Sequence, residues 1–118
     1  MSILAKKLGA HKILAVDNDK EIIKNFNFNQ SLNNCNVDLR ILNCLDIENF
    51  NYDLILANIN RDILLQLIPK IESKNGILIL SGILESDFNI ISESLKKQKF
   101  TLIKKYIKKE WLCLVIKI

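Results

Sequence analysis

Residues 12–21, KILAVDNDKE, join a short apolar run to an acid and then to the start of a helical pattern. KILAV (12–16) has the length and composition of a buried strand, and Asp17 closes it. The stretch DKEIIKNFNFNQSLNN (19–34) continues as a helix, with Asp19 as cap and Ile22, Ile23, Phe26 and Leu32 as its apolar side. A strand that feeds a helix through an acid is the unit from which nucleotide-binding parallel sheets are built. Ligands of such sheets bind beyond the carboxyl ends of the strands, where an acid can accept the hydroxyls of a ribose. Two readings of Asp17 therefore stand: a ribose acceptor, or one more cap on the helix that follows.

The rest of the chain repeats the alternation. SILAKKLGAH opens it with a short apolar helical pattern that Gly9 can terminate. VDLRIL (37–42), YDLILAN (52–58) and GILILSG (76–82) read as strands. RDILLQLIPKIES (61–73) and ESDFNIISESLKKQK (85–99) read as helices, the first weakened in its last turns by Pro69. FTLIKKYI (100–107) and EWLCLVIKI (110–118) are joined tightly enough for an antiparallel hairpin. Strands that are apolar throughout predict a parallel sheet buried by helices on its faces, with the hairpin closing it.

Bulk properties narrow the function classes. The 118 residues can bury one modest core. The net charge of +4 tolerates an anionic partner. The lysines are scattered and seldom interleaved with aromatics or arginines, so direct nucleic-acid binding is not expected. Three cysteines, Cys35, Cys44 and Cys113, have no paired spacing, and His11 is the only histidine. No metal site is expected, and a reducing compartment is. No charged leader precedes an apolar run and no apolar stretch is long enough to span a bilayer, which predicts a cytoplasmic protein.

Polar residues fall at the ends of the other strands too. Asn58, in ANIN (57–60), ends an apolar strand and offers both an acceptor and a donor. That suits the orientation of a neutral amine that is to attack a methyl donor, while Asn60 reads as the cap of the next helix. Turn formation is the alternative for both asparagines. Ser81 and Gly82 end the following strand, where Gly82 would let backbone pass close to a ligand or simply make a turn. Asp46 follows the strand 37–42, placed either beside a purine or in a turn. Cys44 has no basic neighbour and reads as a small buried residue rather than a nucleophile. Glu110 and Trp111 begin the last strand, and Trp111 can wall a substrate pocket or pack in the hairpin. Lys104, Lys105, Lys108 and Lys109 surround the hairpin turn and read first as a solvated face, second as a contact to a ribosomal or other acidic surface.

Taken in order, KLGAHKILAVDND, DLILANINRDILLQLIPKI, GILILSGILES and KKEWLCLVIK resemble one family over essentially the whole chain. It is the class I S-adenosylmethionine-dependent methyltransferases that act on ribosomal protein L-eleven. The resemblance implies a Rossmann-like sheet in the order 3-2-1-4-5-7-6 with the seventh strand antiparallel. It also implies amine methylation of a ribosomal protein, chiefly on lysine side chains and the N-terminal amine, with S-adenosyl-L-methionine as cofactor. Asp17 matches the position that binds the cofactor ribose, Asp46 one near the adenine, and Asn58 the junction of cofactor and substrate. Ser81, Gly82 and Trp111 are the candidate substrate contacts.

The family's first strand, its glycine-rich loop and its substrate-capturing N-terminal domain have no counterpart in these residues. The expectation is a partial, N-terminally truncated methyltransferase domain over 1–118. It would be inactive unaided, and an upstream polypeptide could supply the strand and loop. The strands 12–16 and 52–58 would then pair directly or leave open edges. A non-catalytic α/β remnant or interaction module is the rival, giving Asp17 and Asn58 no role. A dehydrogenase-like nucleotide binder explains the acid but neither ANIN nor the hairpin.

Overall fold

Two successive side-chain turns decide where the first long helix begins. In the computed structural model, which describes residues 1–72 and 75–118, Asp17 Oδ1 accepts the Asp19 N–H at 3.0 Å and Asp19 Oδ1 accepts the Glu21 N–H at 2.8 Å. Each carboxylate satisfies the amide two residues on, which holds the backbone out of helical geometry. The helix therefore starts at Ile22 rather than at residue 19.

The chain forms two compact units, Met1–Ile47 and Glu48–Ile118. In the first, α1 (Ser2–Lys7) ends as Gly9 takes φ +98°. The Gly9 N–H donates to Lys6 O and the Ala10 N–H to Ala5 O, the two bonds of a Schellman cap. β1 (Leu14–Asp17) leads into α2 (Ile22–Leu32) and then β2 (Asp38–Ile41), which pairs parallel to β1 with Asp17 opposite Ile41. Val37 is the buried apolar side chain of this unit. Ile22 and Phe26 of α2 are half-buried, whereas Ile23 and Leu32, expected on the same side, are exposed.

The second unit holds a four-stranded sheet in the order β3-β4-β6-β5. β3 (Leu54–Asn58) runs parallel to β4 (Ile77–Leu84), and β6 (Trp111–Lys117) lies antiparallel between β4 and β5 (Thr101–Lys108). Between β3 and β4, α3 (Arg61–Leu67) tightens into a 3₁₀ turn at Ile68–Lys70, around Pro69, whose missing N–H ends regular α-helical bonding. The helix expected over 61–73 thus stops early, and its last residue lies outside those described.

A 3₁₀ turn at Glu85–Asp87 precedes α4 (Phe88–Lys97). Lys99 adopts φ +61° as α4 ends. The hairpin turns on two residues, Lys109 and Glu110. The core joins α3 and α4 to one sheet face: Leu64, Ile68, Ile91, Leu78, Leu80, Leu112, Leu114 and Ile116 are all closed to solvent.

Alternation of helix and strand and the closing hairpin match the α/β expectation. β1 pairs only with β2 and β3 only with β4 among the described residues, so each keeps an open edge. Leu114→Ala should lower unfolding free energy by about 2–5 kcal/mol through the cavity it leaves. Leu54→Ala, at an exposed strand start, should cost less than about 1 kcal/mol. Urea unfolding followed by circular dichroism checks both.

Candidate functional site

β3 and β4 run together as far as Asn58 opposite Ser81. There β3 leaves the sheet for α3, whose start Asn60 caps by accepting the Ile63 N–H at 3.0 Å. β4 does not end with it. Its pairing to β6 passes from Leu80–Leu114 to Ile83–Leu112, so Ser81 and Gly82 together face the single residue Cys113. This is a β-bulge, and it bends β4 just where its parallel neighbour departs.

Gly82 sits in the bulge with φ +77°. A Cβ there would collide with Asn58 Oδ1 and stand 3.4 Å from the Ile59 amide nitrogen. The bare α-carbon is thus a notch occupied by the Asn58 carboxamide. The expectation that Gly82 ends the strand is corrected: it lies inside β4, which continues to Leu84. The apolar Ile83 and Leu84 beyond it were the available signal, because a lone glycine within a strand pattern marks a bulge.

Asn58 is exposed and lines the groove before it, and its amide makes no hydrogen bond to a described residue. The groove is open and about 850 Å³ in volume. Asn58, Ser81 and Gly82 form one side and Tyr106, Lys108 and Trp111 the other. Trp111 is 51% and Tyr106 49% exposed, so both present ring surface rather than spending it in the core. Among the described residues no carboxylate lines the groove, and Lys108 is its cation. An ammonium ion would find no counter-charge there, whereas a neutral amine could donate an N–H to Asn58 Oδ1 and keep its lone pair free.

A smaller recess of about 280 Å³ shares Asn60, Gly82 and Trp111 with the groove. At its wall the Arg61 guanidinium bonds Asp62 at 2.9 Å and Asp87 at 3.1 Å, tying the start of α3 to the turn after β4. The two carboxylates push the Arg61 pKa up, Asp62 contributing most. Sequence reading passed over Arg61 and Tyr106. Arg61 meets Asp87 across 26 residues, a separation that carries no local signal.

The remaining candidates belong to the first unit. Asp17 ends β1, half-buried, with Oδ1 engaged by Asp19 N–H and Oδ2 without a described partner. Asp46 closes the 3₁₀ turn Cys44–Asp46 through its backbone, its N–H donating to Asn43 O at 2.9 Å while Asn43 Oδ1 accepts the Leu45 N–H at 3.0 Å, and the residue is exposed. Burial pushes the Cys44 thiol up. The Asp46 charge adds to this, while backbone N–H groups of Cys44 and Leu45 oppose it. A raised pKa means less thiolate, which is the reverse of what a nucleophile needs.

Helix-covered parallel strands with polar residues at their carboxyl ends, completed by an antiparallel hairpin, define the class I methyltransferase fold. A solved S-adenosylmethionine-dependent methyltransferase from Clostridium acetobutylicum superimposes with a TM-score of 0.71 at 12% identity, covering 92% of this chain and 75% of its own. The chain belongs to the ribosomal protein L11 methyltransferase (PrmA) family, whose profile matches residues 1–118. The ribosomal protein L11 methylase from Lactobacillus delbrueckii subsp. bulgaricus is 34% identical with a TM-score of 0.90, covering 98% of this chain. This chain spans 62% of the length of that protein. A ribosomal protein L11 methyltransferase from Thermosipho melanesiensis is 49% identical over 45 residues, which are 38% of this chain and 17% of that protein. S-adenosyl-L-methionine is the cofactor of this family and fold. No helix among the described residues is long and apolar enough to cross a membrane.

Gly82→Ala should destabilise the chain by about 1–3 kcal/mol, since it adds left-handed strain and displaces Asn58. Chemical denaturation measures the loss, and the Asn58 side-chain amide resonances should shift with it. Iodoacetamide at pH 8.5 should alkylate Cys44 more slowly than a free cysteine peptide. Asp46→Asn should speed that reaction, because removing the neighbouring negative charge lowers the thiol pKa. Mass spectrometry of the tryptic peptides reads both rates.

Proposed function

We propose that this chain carries the acceptor-side half of an S-adenosyl-L-methionine-dependent methyltransferase that modifies amine nitrogens of a ribosomal protein. The observation that carries the reading is Asn58: an unengaged amide at a strand's carboxyl end, seated in the Gly82 notch and facing an acid-free groove. Asn58 Oδ1 accepts an N–H of the neutral amine and aims its lone pair. Tyr106 and Trp111 flank the aliphatic stem and exclude water, with Ser81 and Gly82 as the opposite wall. When bound, S-adenosyl-L-methionine supplies an activated methyl group. In the first unit, Asp17, whose Oδ2 has no described partner, is the candidate acceptor for its ribose hydroxyls, and the exposed Asp46 the candidate for its adenine. No residue of the groove need act as a covalent nucleophile.

The three glycines, Gly9, Gly76 and Gly82, lie too far apart to form a glycine-rich loop. β1 and β3 each pair with one described strand only. Both features support a glycine-rich loop and a further strand supplied from outside these 118 residues. Unaided, the chain would neither bind the cofactor tightly nor transfer methyl. Its three free cysteines fit a reducing cytoplasm.

Co-expression with the upstream coding region should yield a complex that transfers radiolabelled methyl to the ribosomal protein. In that complex Asn58→Ala should cut transfer about 100-fold to 1000-fold. Asp17→Ala should weaken cofactor binding about tenfold or more in calorimetry. Low-micromolar cofactor binding by the chain alone would refute the need for a partner. Transfer undiminished by Asn58→Ala would refute its role and favour the non-catalytic interaction module.

A further inference from the structure

β5 is the edge strand of the second unit, and all its residues, Thr101–Lys108, are exposed. Its outer row of backbone N–H and C=O groups pairs with no described strand. Such an edge is a template for another strand unless something guards it. The sequence across the edge runs in doublets: Leu102–Ile103, Lys104–Lys105, Tyr106–Ile107, Lys108–Lys109. Ile103 is 54% and Ile107 47% exposed, so the apolar doublets remain available for contact.

The lysines decide which strand can add. Two copies meeting edge to edge about a two-fold axis pair antiparallel, and residues sharing a face stand opposite one another. Centred on residue 104, Lys104 faces its own copy; centred on 105, Lys105 does. Centred on 106, Lys104 faces Lys108. Each central register therefore places like charges in direct opposition, which destabilises the pairing. An acidic strand turns the same contacts into attraction. Lys104 and Lys108 stand on one face of β5 with Tyr106 between them, and Lys104 Nζ lies 4.8 Å from the Tyr106 ring centroid. Lys105, on the other face, is held between Glu85 at 3.8 Å and the Phe88 ring at 4.1 Å. That leaves Lys104 and Lys108 as the charges best placed to receive a partner. Nucleic acid fits less well: residues 99–118 hold no arginine, and Tyr106 is the one exposed ring along the strand.

We propose that the open edge of β5 accepts an extended acidic segment of another polypeptide as an added strand. Apolar and acidic doublets would alternate along that segment in complement to β5. Backbone pairing supplies the affinity, and the lysines exclude a second copy while selecting an acidic sequence. Tyr106 and Lys108 also line the groove at Asn58, so the added strand would lie along its rim.

Fluorescence anisotropy of the full chain with a labelled Val-Val-Glu-Glu-Val-Val-Glu-Glu peptide tests it. Binding should weaken about tenfold when glutamine replaces glutamate. It should weaken about as much when alternate peptide nitrogens are methylated, which keeps every charge but removes strand donors. The Lys104→Glu/Lys108→Glu variant should lose the acidic peptide and gain one with lysine in place of glutamate. Absence of binding by the acidic peptide, equal binding of the N-methylated peptide, or displacement of the peptide by a tighter-binding oligouridylate would each overturn the proposal.

Discussion

The second unit is organised around the packing of one carboxamide against one bare α-carbon. Asn58 Oδ1 occupies the space that a Cβ at residue 82 would need. That contact requires Gly82 to sit in a bulge, and the bulge exists because β4 outlasts its parallel neighbour and goes on pairing with β6 alone. One side of β4 thus loses a strand while the other keeps one. The backbone bends, and the groove opens beside Asn58. The chemistry offered there, an amide with both functions unengaged, follows from this change of partner rather than from any cluster of charged groups.

A groove without a carboxylate is consistent with a reaction that needs a neutral amine. A nearby acid would stabilise the ammonium form and withhold the lone pair. Lys108 acts in the opposite sense, and in the proposed reading the rings of Tyr106 and Trp111 would wall an aliphatic stem. Arg61, bonded to Asp87 26 residues away, holds the first turn of α3 against the turn that follows β4, while Asn60 caps the same helix locally.

Much of the fold was legible because its strands and helices have distinct periods. KILAV, YDLILAN and GILILSG are short, apolar and bounded by polar turns, and each lies within two or three residues of an observed strand. The departures have physical causes. Asp17 and Asp19 postpone α2 by capturing amides locally, Pro69 cuts α3 short, and Gly82 marks a bulge where a strand end was expected. Asn60 was readable as a cap because capping is local. The Arg61–Asp87 pair and the wall formed by Tyr106 were not, since neither leaves a trace in spacing.

By itself the sequence determined the order and type of the elements, the polar residues at the strand ends and, through the resemblance of its motifs, the methyltransferase family. Those properties rest on local geometry and on residue identity, which a chain carries whether or not it is folded. Only the tertiary structure decided what Gly82 is for and which residues gather around Asn58. It also decided that β5 stands as an open edge. Each of these depends on which strand pairs with which and for how many residues. That is settled by burial and register between distant segments, and no single segment encodes it.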